Sequence, residues 1–320
     1  MKFIKYFMLF YIMSVIVINV TSQLIDVSNG LFLETDHTGG FLGAGVSFAD
    51  FNNDDIDDLT FGHHGGQLRF YQGFNDETGP GFQELTLNIT NSQSEAKMVL
   101  WADIDNDGDQ DFLVTNRNAS NKLWRNDGGM DFTDISEVSG ISTNNDTKSY
   151  GASYGDFNND GFIDLYICNY HTLIDLSTNE LYQNNGNGTF TDVTSIAGVG
   201  NGLAQSFQST FIDIDLDGHQ DLHVINDRIF TPNVFYHNNG DGTFLDMSNM
   251  WSVDLGIYAM SSSFGDYDRD GDMDLYVTNG FEGNSLLRND LDDSGIFVDI
   301  AVQEGLVVSQ MCWCACWFDH

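Results

Sequence analysis

Five acidic nonapeptides carry the residues most able to do chemistry in this chain of 320 residues. Each has oxygen-bearing side chains at positions 1, 3, 5 and 9, and position 6 is glycine in four of the five. Calcium prefers six to eight hard oxygen ligands, and odd spacing sets such oxygens on one side of a tight loop. The nonapeptides therefore predict calcium sites, with position 7 contributing its backbone carbonyl oxygen.

The predicted ligands are twenty-five residues, five in each nonapeptide. The first two sites comprise Asp50, Asn52, Asp54, Ile56 and Asp58, and Asp103, Asp105, Asp107, Asp109 and Asp111. The third comprises Asp156, Asn158, Asp160, Phe162 and Asp164. The last two comprise Asp213, Asp215, Asp217, His219 and Asp221, and Asp266, Asp268, Asp270, Asp272 and Asp274.

The second, fourth and fifth sites should be the best, because each carries aspartate at positions 1, 3, 5 and 9. Asn52 and Asn158 replace an aspartate in the first and third sites, and Asp55 stands where the other sites have glycine, which predicts a strained backbone. Without a cation the converging carboxylates would repel one another and favour an open loop. The alternative is a set of solvated acidic turns.

These loops are not EF-hands, which need glutamate at position 12 and flanking helices. Position 12 is apolar in the last four loops, at Val114, Ile167, Val224 and Val277.

The nonapeptides mark an internal repeat, since their first residues lie 53, 53, 57 and 53 positions apart. Each unit offers four short apolar runs separated by turn residues, and no window has a sustained helical period. This pattern predicts an all-β protein, a β-propeller of four-stranded blades. A linear β-solenoid is the alternative.

The repeat count predicts five complete blades and part of another. Leu24–Val27 matches the last strand of a unit, and Trp317 and Asp319 fall where a sixth unit would begin. Since propellers close with roughly four to eight blades, we expect a fragment of a six- or seven-bladed ring, truncated at the C-terminus.

Residues 1–22 resemble an export signal, with two lysines followed by an apolar stretch and small residues before Gln23. We therefore expect a secreted, extracellular or cell-surface protein whose propeller domain comprises residues 23–320. An uncleaved membrane anchor is the alternative.

The net negative charge limits the kinds of partner that the chain can bind. The chain has 11 Lys and Arg against 48 Asp and Glu, which gives a formal net charge of −37. Nucleic acid and anionic membrane surfaces are disfavoured because both are polyanions.

Catalytic and cysteine motifs are weak. Gly151–Gly155 matches the G-x-S-x-G nucleophile pattern but aligns with the leading strands of other units, so we predict no catalytic residue. Cys168 is expected to be a buried thiol, and Cys312, Cys314 and Cys316 lack the partners of a tetrahedral metal site.

The nonapeptide, the preceding aromatic residue, and the runs Asn179–Asn184 and Phe190–Thr194 resemble FG-GAP/VCBS repeats, most closely the cartilage-acidic-protein-like group that often carries an ASPIC/UnbV segment. The resemblance covers about Leu24 to Asp319. It implies an integrin-α-like β-propeller with calcium loops between the first and second strands of each blade. It also implies extracellular placement and adhesion, or binding of carbohydrate or protein, but no chemistry.

Two functions follow as expectations. The first is a secreted calcium-binding propeller, with structural Ca²⁺ at about one ion per complete blade, that acts as a non-catalytic binding or adhesion module. The alternative is a carbohydrate-binding or polysaccharide-active propeller, similar to a lectin or glycosidase. The expected partner is an extracellular protein or glycan.

Overall fold

The computed structural model describes residues 45–63, 68–77, 79–91, 95–172, 177–280, 282–308 and 310–317. The predicted signal at 1–22, the predicted strand Leu24–Val27 and Asp319 lie outside these residues.

Five antiparallel sheets of four consecutive strands make up the described residues. Sheets 1 and 2 contain β1 (Val46–Ala49), β2 (Asp58–Phe61), β3 (Arg69–Asp76) and β4 (Gly79–Leu85), then β5 (Glu95–Ala102), β6 (Asp111–Arg117), β7 (Lys122–Asn126) and β8 (Phe132–Asp134). Sheet 3 contains β9 (Ser149–Gly155), β10 (Asp164–Asn169), β11 (Glu180–Asn184) and β12 (Phe190–Asp192). Sheets 4 and 5 contain β13 (Ser206–Ile212), β14 (Asp221–Asn226), β15 (Val234–Asn238) and β16 (Phe244–Asp246), then β17 (Ser262–Gly265), β18 (Asp274–Val277), β19 (Ser285–Asp290) and β20 (Ile296–Asp299).

The sheets pack face to face as consecutive blades. The first strands of neighbouring sheets contact one another, β1 with β5, β5 with β9 and β9 with β13. Each main apolar cluster combines residues of two adjacent sheets, such as Leu113 and Leu123 with Leu165 and Ile167. The second strands β10 and β14 are buried throughout, because both of their faces are covered. The burial of apolar side chains between neighbouring blades is therefore the main hydrophobic contribution to stability.

Helix is confined to two single turns in the described residues, α1 (Thr194–Ala197) and α2 (Leu291–Ser294). Each ends at a glycine in the left-handed conformation, Gly198 at φ 80° and Gly295 at φ 77°. No described helix has the length and apolar character that crossing a membrane requires.

The predicted fold class is confirmed: this is an all-β propeller of four-stranded blades. The segment around Trp317 differs from the expectation, because residues 310–317 contain no strand. Trp317 still takes the place that the repeat predicts. Its ring lies over Gly265 as the Phe211 ring lies over Gly155, at 2.7 and 2.5 Å from where a Cβ atom would stand.

Candidate metal centre

The five acidic nonapeptides form the turns between the first and second strands of each sheet. We number them loop 1 (residues 50–58), loop 2 (103–111), loop 3 (156–164), loop 4 (213–221) and loop 5 (266–274). Because each connects the first strand to the second strand of its sheet, all five lie at the same end of their blades.

The first aspartate organises each loop by accepting two backbone hydrogen bonds. In loop 2 the N–H groups of Asp107 and Gly108 donate to Asp103 Oδ1 and Oδ2, at 3.1 and 2.9 Å. Asp107 Oδ1 in turn accepts the N–H of Asp109 at 2.9 Å. The same bonds recur in the other loops at 2.8–3.3 Å. The loops are therefore built by their own carboxylates.

The last aspartate ties each loop to the third strand. Asp164 Oδ2 accepts the Phe157 N–H at 3.2 Å, and Asp164 Oδ1 accepts the Asn184 N–H of β11 at 2.8 Å. Both bonds have counterparts in the other four sheets. All five of these aspartates are buried, at 0% exposure. Each thus holds a carboxylate inside the protein, with backbone amides as its hydrogen-bond donors.

Carboxylates of positions 1, 3 and 9 converge in loops 2, 4 and 5, with one ligand atom from each within 4.8 Å of the others. The three groups are Asp103, Asp105 and Asp111; Asp213, Asp215 and Asp221; and Asp266, Asp268 and Asp274. These are the loops in which the sequence placed four carboxylates. Such acidic clusters could hold a metal ion.

Burial makes the ionised form of the last aspartate costly. It raises the pKa of Asp111 and Asp164 to about 7, although two amide hydrogen bonds act in the opposite direction. Burial likewise raises the pKa of Asp58 to about 6. In loop 5, burial and then the charge of Asp270 raise the pKa of Asp272 to about 7. A nearby cation would offset these costs.

Two buried side-chain oxygens at position 3 of the loops have no hydrogen-bond partner within the described part of the chain, which bears on whether a metal ion fits there. Asn52 Oδ1 in loop 1 and Asp105 Oδ1 in loop 2 are buried and have no hydrogen-bond partner among the described residues. An unpaired buried acceptor is costly unless a donor or cation satisfies it. Both stand at position 3, a predicted ligand position. In both loops the donor set is hard oxygen and fits calcium.

Exposed asparagine side chains link successive loops. Asn53 Nδ2 donates to Gly108 O at 3.1 Å, and Asn106 Nδ2 donates to Gly161 O at 3.0 Å. Asn159 Nδ2 continues the series with Gly218 O at 3.0 Å. Each asparagine stands at position 4 in the left-handed conformation, at φ 56–60°, which asparagine tolerates well. Loops 1 to 4 thus form one connected series.

Buried asparagine side chains link the blades in the opposite direction. Asn184 Nδ2 donates at 2.7 Å to Ile104 O in loop 2, one blade earlier, and Asn238 Nδ2 donates at 2.7 Å to Phe157 O in loop 3. Asn126 and Asn289 make the corresponding bonds at 3.4 and 3.3 Å. The sequence showed these asparagines as the ends of the third strands but not as links between blades.

One residue near loop 4 was missed by sequence reasoning. His237 on β15 places Nδ1 3.1 Å from Asp221 Oδ1 and 3.3 Å from Asp215 Oδ2. The predicted residue His219 directs its ring elsewhere, with Nδ1 3.1 Å from Asn159 Nδ2 and the ring against Gly240. The signal that could have found His237 is its place beside Asn238, whose N–H binds the last aspartate.

The predicted Gly151–Gly155 motif is strand β9, and Ser153 Oγ lies 2.7 Å from Ser209 Oγ on the next blade. Cys168 is a buried free thiol, as predicted, and burial raises its pKa to about 12.

Comparison with known proteins agrees with the repeat. The family model for the FG-GAP-like repeat matches residues 103–167, 156–224 and 213–277. Cartilage acidic protein 1 of Xenopus tropicalis is 27% identical over 132 residues, which are 39% of this chain and 20% of that protein. The chain thus matches about a fifth of the length of this relative.

Three solved structures resemble the chain at low identity. BBS1N in complex with ARL6DN, soaked with lead, is 10% identical with a TM-score of 0.49, over 78% of this chain and 68% of that one. The exotype rhamnogalacturonan lyase YesX is 14% identical with a TM-score of 0.43, over 76% and 47%. The Bacillus licheniformis rhamnogalacturonan lyase PL11 is 12% identical with a TM-score of 0.41, over 80% and 64%.

Proposed function

Because this chain belongs to the family of FG-GAP-like repeat proteins, we propose that it is a secreted, calcium-binding β-propeller. Its role is non-catalytic binding or adhesion at the cell surface or outside the cell, with an extracellular protein or glycan as partner. Calcium is structural in this proposal, about one ion for each of loops 1 to 5.

The convergence of carboxylates in the loops is the observation that carries the calcium proposal. The chain has few basic residues to balance them, 11 against 48 acids. The unpaired oxygens Asn52 Oδ1 and Asp105 Oδ1 mark where an ion would meet the protein. A bound Ca²⁺ would neutralise the carboxylates of positions 1, 3, 5 and 9. The last aspartate would connect the ion to the third strand, so that ion binding stabilises the whole blade.

Calorimetric titration of the metal-stripped chain with Ca²⁺ tests this directly. We expect about five ions per chain and a melting temperature that rises with free Ca²⁺. At a concentration tenfold above the dissociation constant, each site contributes roughly 1.4 kcal/mol. Asp164→Asn in loop 3 should remove one ion, whereas Asp192→Asn at the exposed end of β12 should remove none. A melting curve that chelator leaves unchanged contradicts the proposal.

Carbohydrate binding is the second candidate, favoured by one cavity of about 480 Å³. It lies in blade 4 at the opposite end from loop 4, between the segments around Asn201, Phe230 and Met250. Phe230 is 71% exposed beside the carboxylates Asp246 and Asp254. An exposed aromatic ring beside amides and carboxylates can bind a sugar by stacking and hydrogen bonding.

A glycan array probed with the calcium-loaded chain separates the two candidates. Binding to glycans that Phe230→Ala abolishes and Ile229→Ala preserves would favour the carbohydrate function. Binding only to proteins or cells would favour the adhesion function.

A further inference from the structure

Loop 4 differs from the other loops because an imidazole faces it. His237 Nδ1 lies between Asp215 Oδ2 and Asp221 Oδ1, at 3.3 and 3.1 Å. One ligand atom each of Asp215, Asp217 and His237 lie within 4.8 Å of one another. A nitrogen donor from β15 therefore meets carboxylates of loop 4, which connects β13 and β14.

The equivalent position in the other blades offers no such donor. It is occupied by Gln72, Arg125, Gln183 and Arg288. Both arginines bind an aspartate two residues further on, Asp127 and Asp290, at 2.7 Å. Gln72 donates to Asp54 Oδ2 in loop 1 at 3.1 Å. A side chain at this position can thus reach the loop, and only in blade 4 of the five is it a metal-ligating one.

We propose that loop 4 binds a divalent transition metal in preference to calcium, with His237 Nδ1 as a ligand beside Asp215, Asp217 and Asp221. The inference rests on the proposed function for the other four loops. Imidazole suits zinc, copper, nickel and iron, whereas all-oxygen sites suit calcium and magnesium. Replacing one oxygen ligand with an imidazole nitrogen therefore shifts selectivity towards the nitrogen-binding metals.

The distances suit such an ion. With metal–ligand bonds of about 2.0–2.2 Å, neighbouring ligand atoms lie about 3.0–3.5 Å apart in octahedral or tetrahedral geometry. The two distances from His237 Nδ1 fall in this range. They also suit a histidine that merely donates a hydrogen bond to the aspartates, and the two roles differ in their response to metal.

Titration with Ni²⁺ in excess Ca²⁺ distinguishes these roles. The probe is the tag-free full chain, stripped with chelator and then loaded with Ca²⁺ so that the all-oxygen loops are occupied. We expect one Ni²⁺ per chain by calorimetry. His237→Gln should weaken Ni²⁺ binding by about tenfold or more without lowering the Ca²⁺ stoichiometry. Glutamine is tolerated there, since Gln183 occupies the same position in blade 3.

Two control variants exclude other ligands. His219→Phe copies Phe162 of loop 3 and should bind Ni²⁺ as the unmodified chain does. The triple change Cys312→Ser, Cys314→Ser and Cys316→Ser removes the three thiols near the end of the described residues and should also leave binding unchanged. Ni²⁺ binding that survives His237→Gln, or that is lost with the three thiols, overturns the inference. Failure of the calcium proposal is separate, because the unmodified chain would then take up no Ca²⁺.

Discussion

At the scale of single residues, backbone conformation decides what stands at position 6 of each loop. Gly108, Gly161, Gly218 and Gly271 have φ between 87° and 105°, and a Cβ atom on any of them would meet nothing within 4 Å. The requirement for glycine is therefore conformational rather than steric. In loop 1, Asp55 adopts φ 65° at this position, as the sequence predicted for a strained site.

Replacing this residue should relieve the strain. Asp55→Gly is expected to raise the free energy of unfolding by about 1 kcal/mol, because the left-handed conformation costs glycine little and one like charge leaves the loop. Gly161→Asp in loop 3 is the matched reverse change and should lower it by a similar amount. Denaturant unfolding in saturating Ca²⁺ measures both. Equal stability of all three chains would show that position 6 is not strained.

At the scale of strands and loops, buried side-chain amides connect the blades. Asn184 is 1% exposed and donates both to Ile104 O in the preceding blade and to Ile163 O in its own, at 2.7 and 3.0 Å. The loop of one blade is therefore held by the third strand of the next.

Removing this amide should leave two carbonyl oxygens without their donor. Asn184→Ala is expected to lower the free energy of unfolding by about 2–3 kcal/mol, since a lost buried partner costs about 1–3 kcal/mol. Asn185→Ala removes an exposed side chain that bonds Thr189 Oγ1 and should change stability by less than about 0.5 kcal/mol. Urea unfolding compares the two. If both variants match the unmodified chain, the link between blades contributes nothing.

The repeat predicted the strands well because each blade is one copy of the same alternation of apolar runs and turns. Even the divergent first unit, whose nonapeptide lacks the glycine, forms the four strands β1 to β4 that the repeat predicts. The links between blades could not be predicted, because Asn106 and Asn184 bind carbonyls in other units, and periodicity within one unit does not show which neighbour an amide reaches. His237 was missed for a different reason: its partners Asp215 and Asp221 belong to its own blade, but the other units have glutamine or arginine at this position, so it is not part of the repeated pattern.

At the scale of the whole molecule, buried carboxylates make stability depend on both pH and metal. The buried aspartates have folded-state pKa values raised above the usual 3.8, to about 6 for Asp58 and about 7 for Asp164. Between pH 3.8 and about pH 7, the folded chain therefore holds more protons on these aspartates than the unfolded chain does. Stability without metal must fall as pH rises from about 4 to about 7.

Thermal melting at pH 5 and pH 7.5 checks whether stability falls as pH rises. In chelator, we expect the higher melting temperature at pH 5, where more of the buried carboxylates are protonated. Added Ca²⁺ should raise the melting temperature more at pH 7.5 than at pH 5, because protons compete with the ion for the same oxygens. A metal-free chain that is more stable at pH 7.5 would show that these carboxylates are not the dominant charges.

The two series of amide links give the propeller a polarity. Each buried asparagine donates to the preceding blade, as Asn289 does to loop 4. Each exposed asparagine donates to the following blade, as Asn53 does to loop 2. Detaching blade 5 would break the buried link from Asn289 to Ile214 O, whereas detaching blade 1 would break both the buried link from Asn126 to Phe51 O and the exposed link from Asn53 to Gly108 O. Pulling on the two ends of the array should therefore meet unequal resistance, and unravelling should start more easily at the fifth blade, because Leu216 stands in loop 4 where loops 1 to 3 have the linking asparagine.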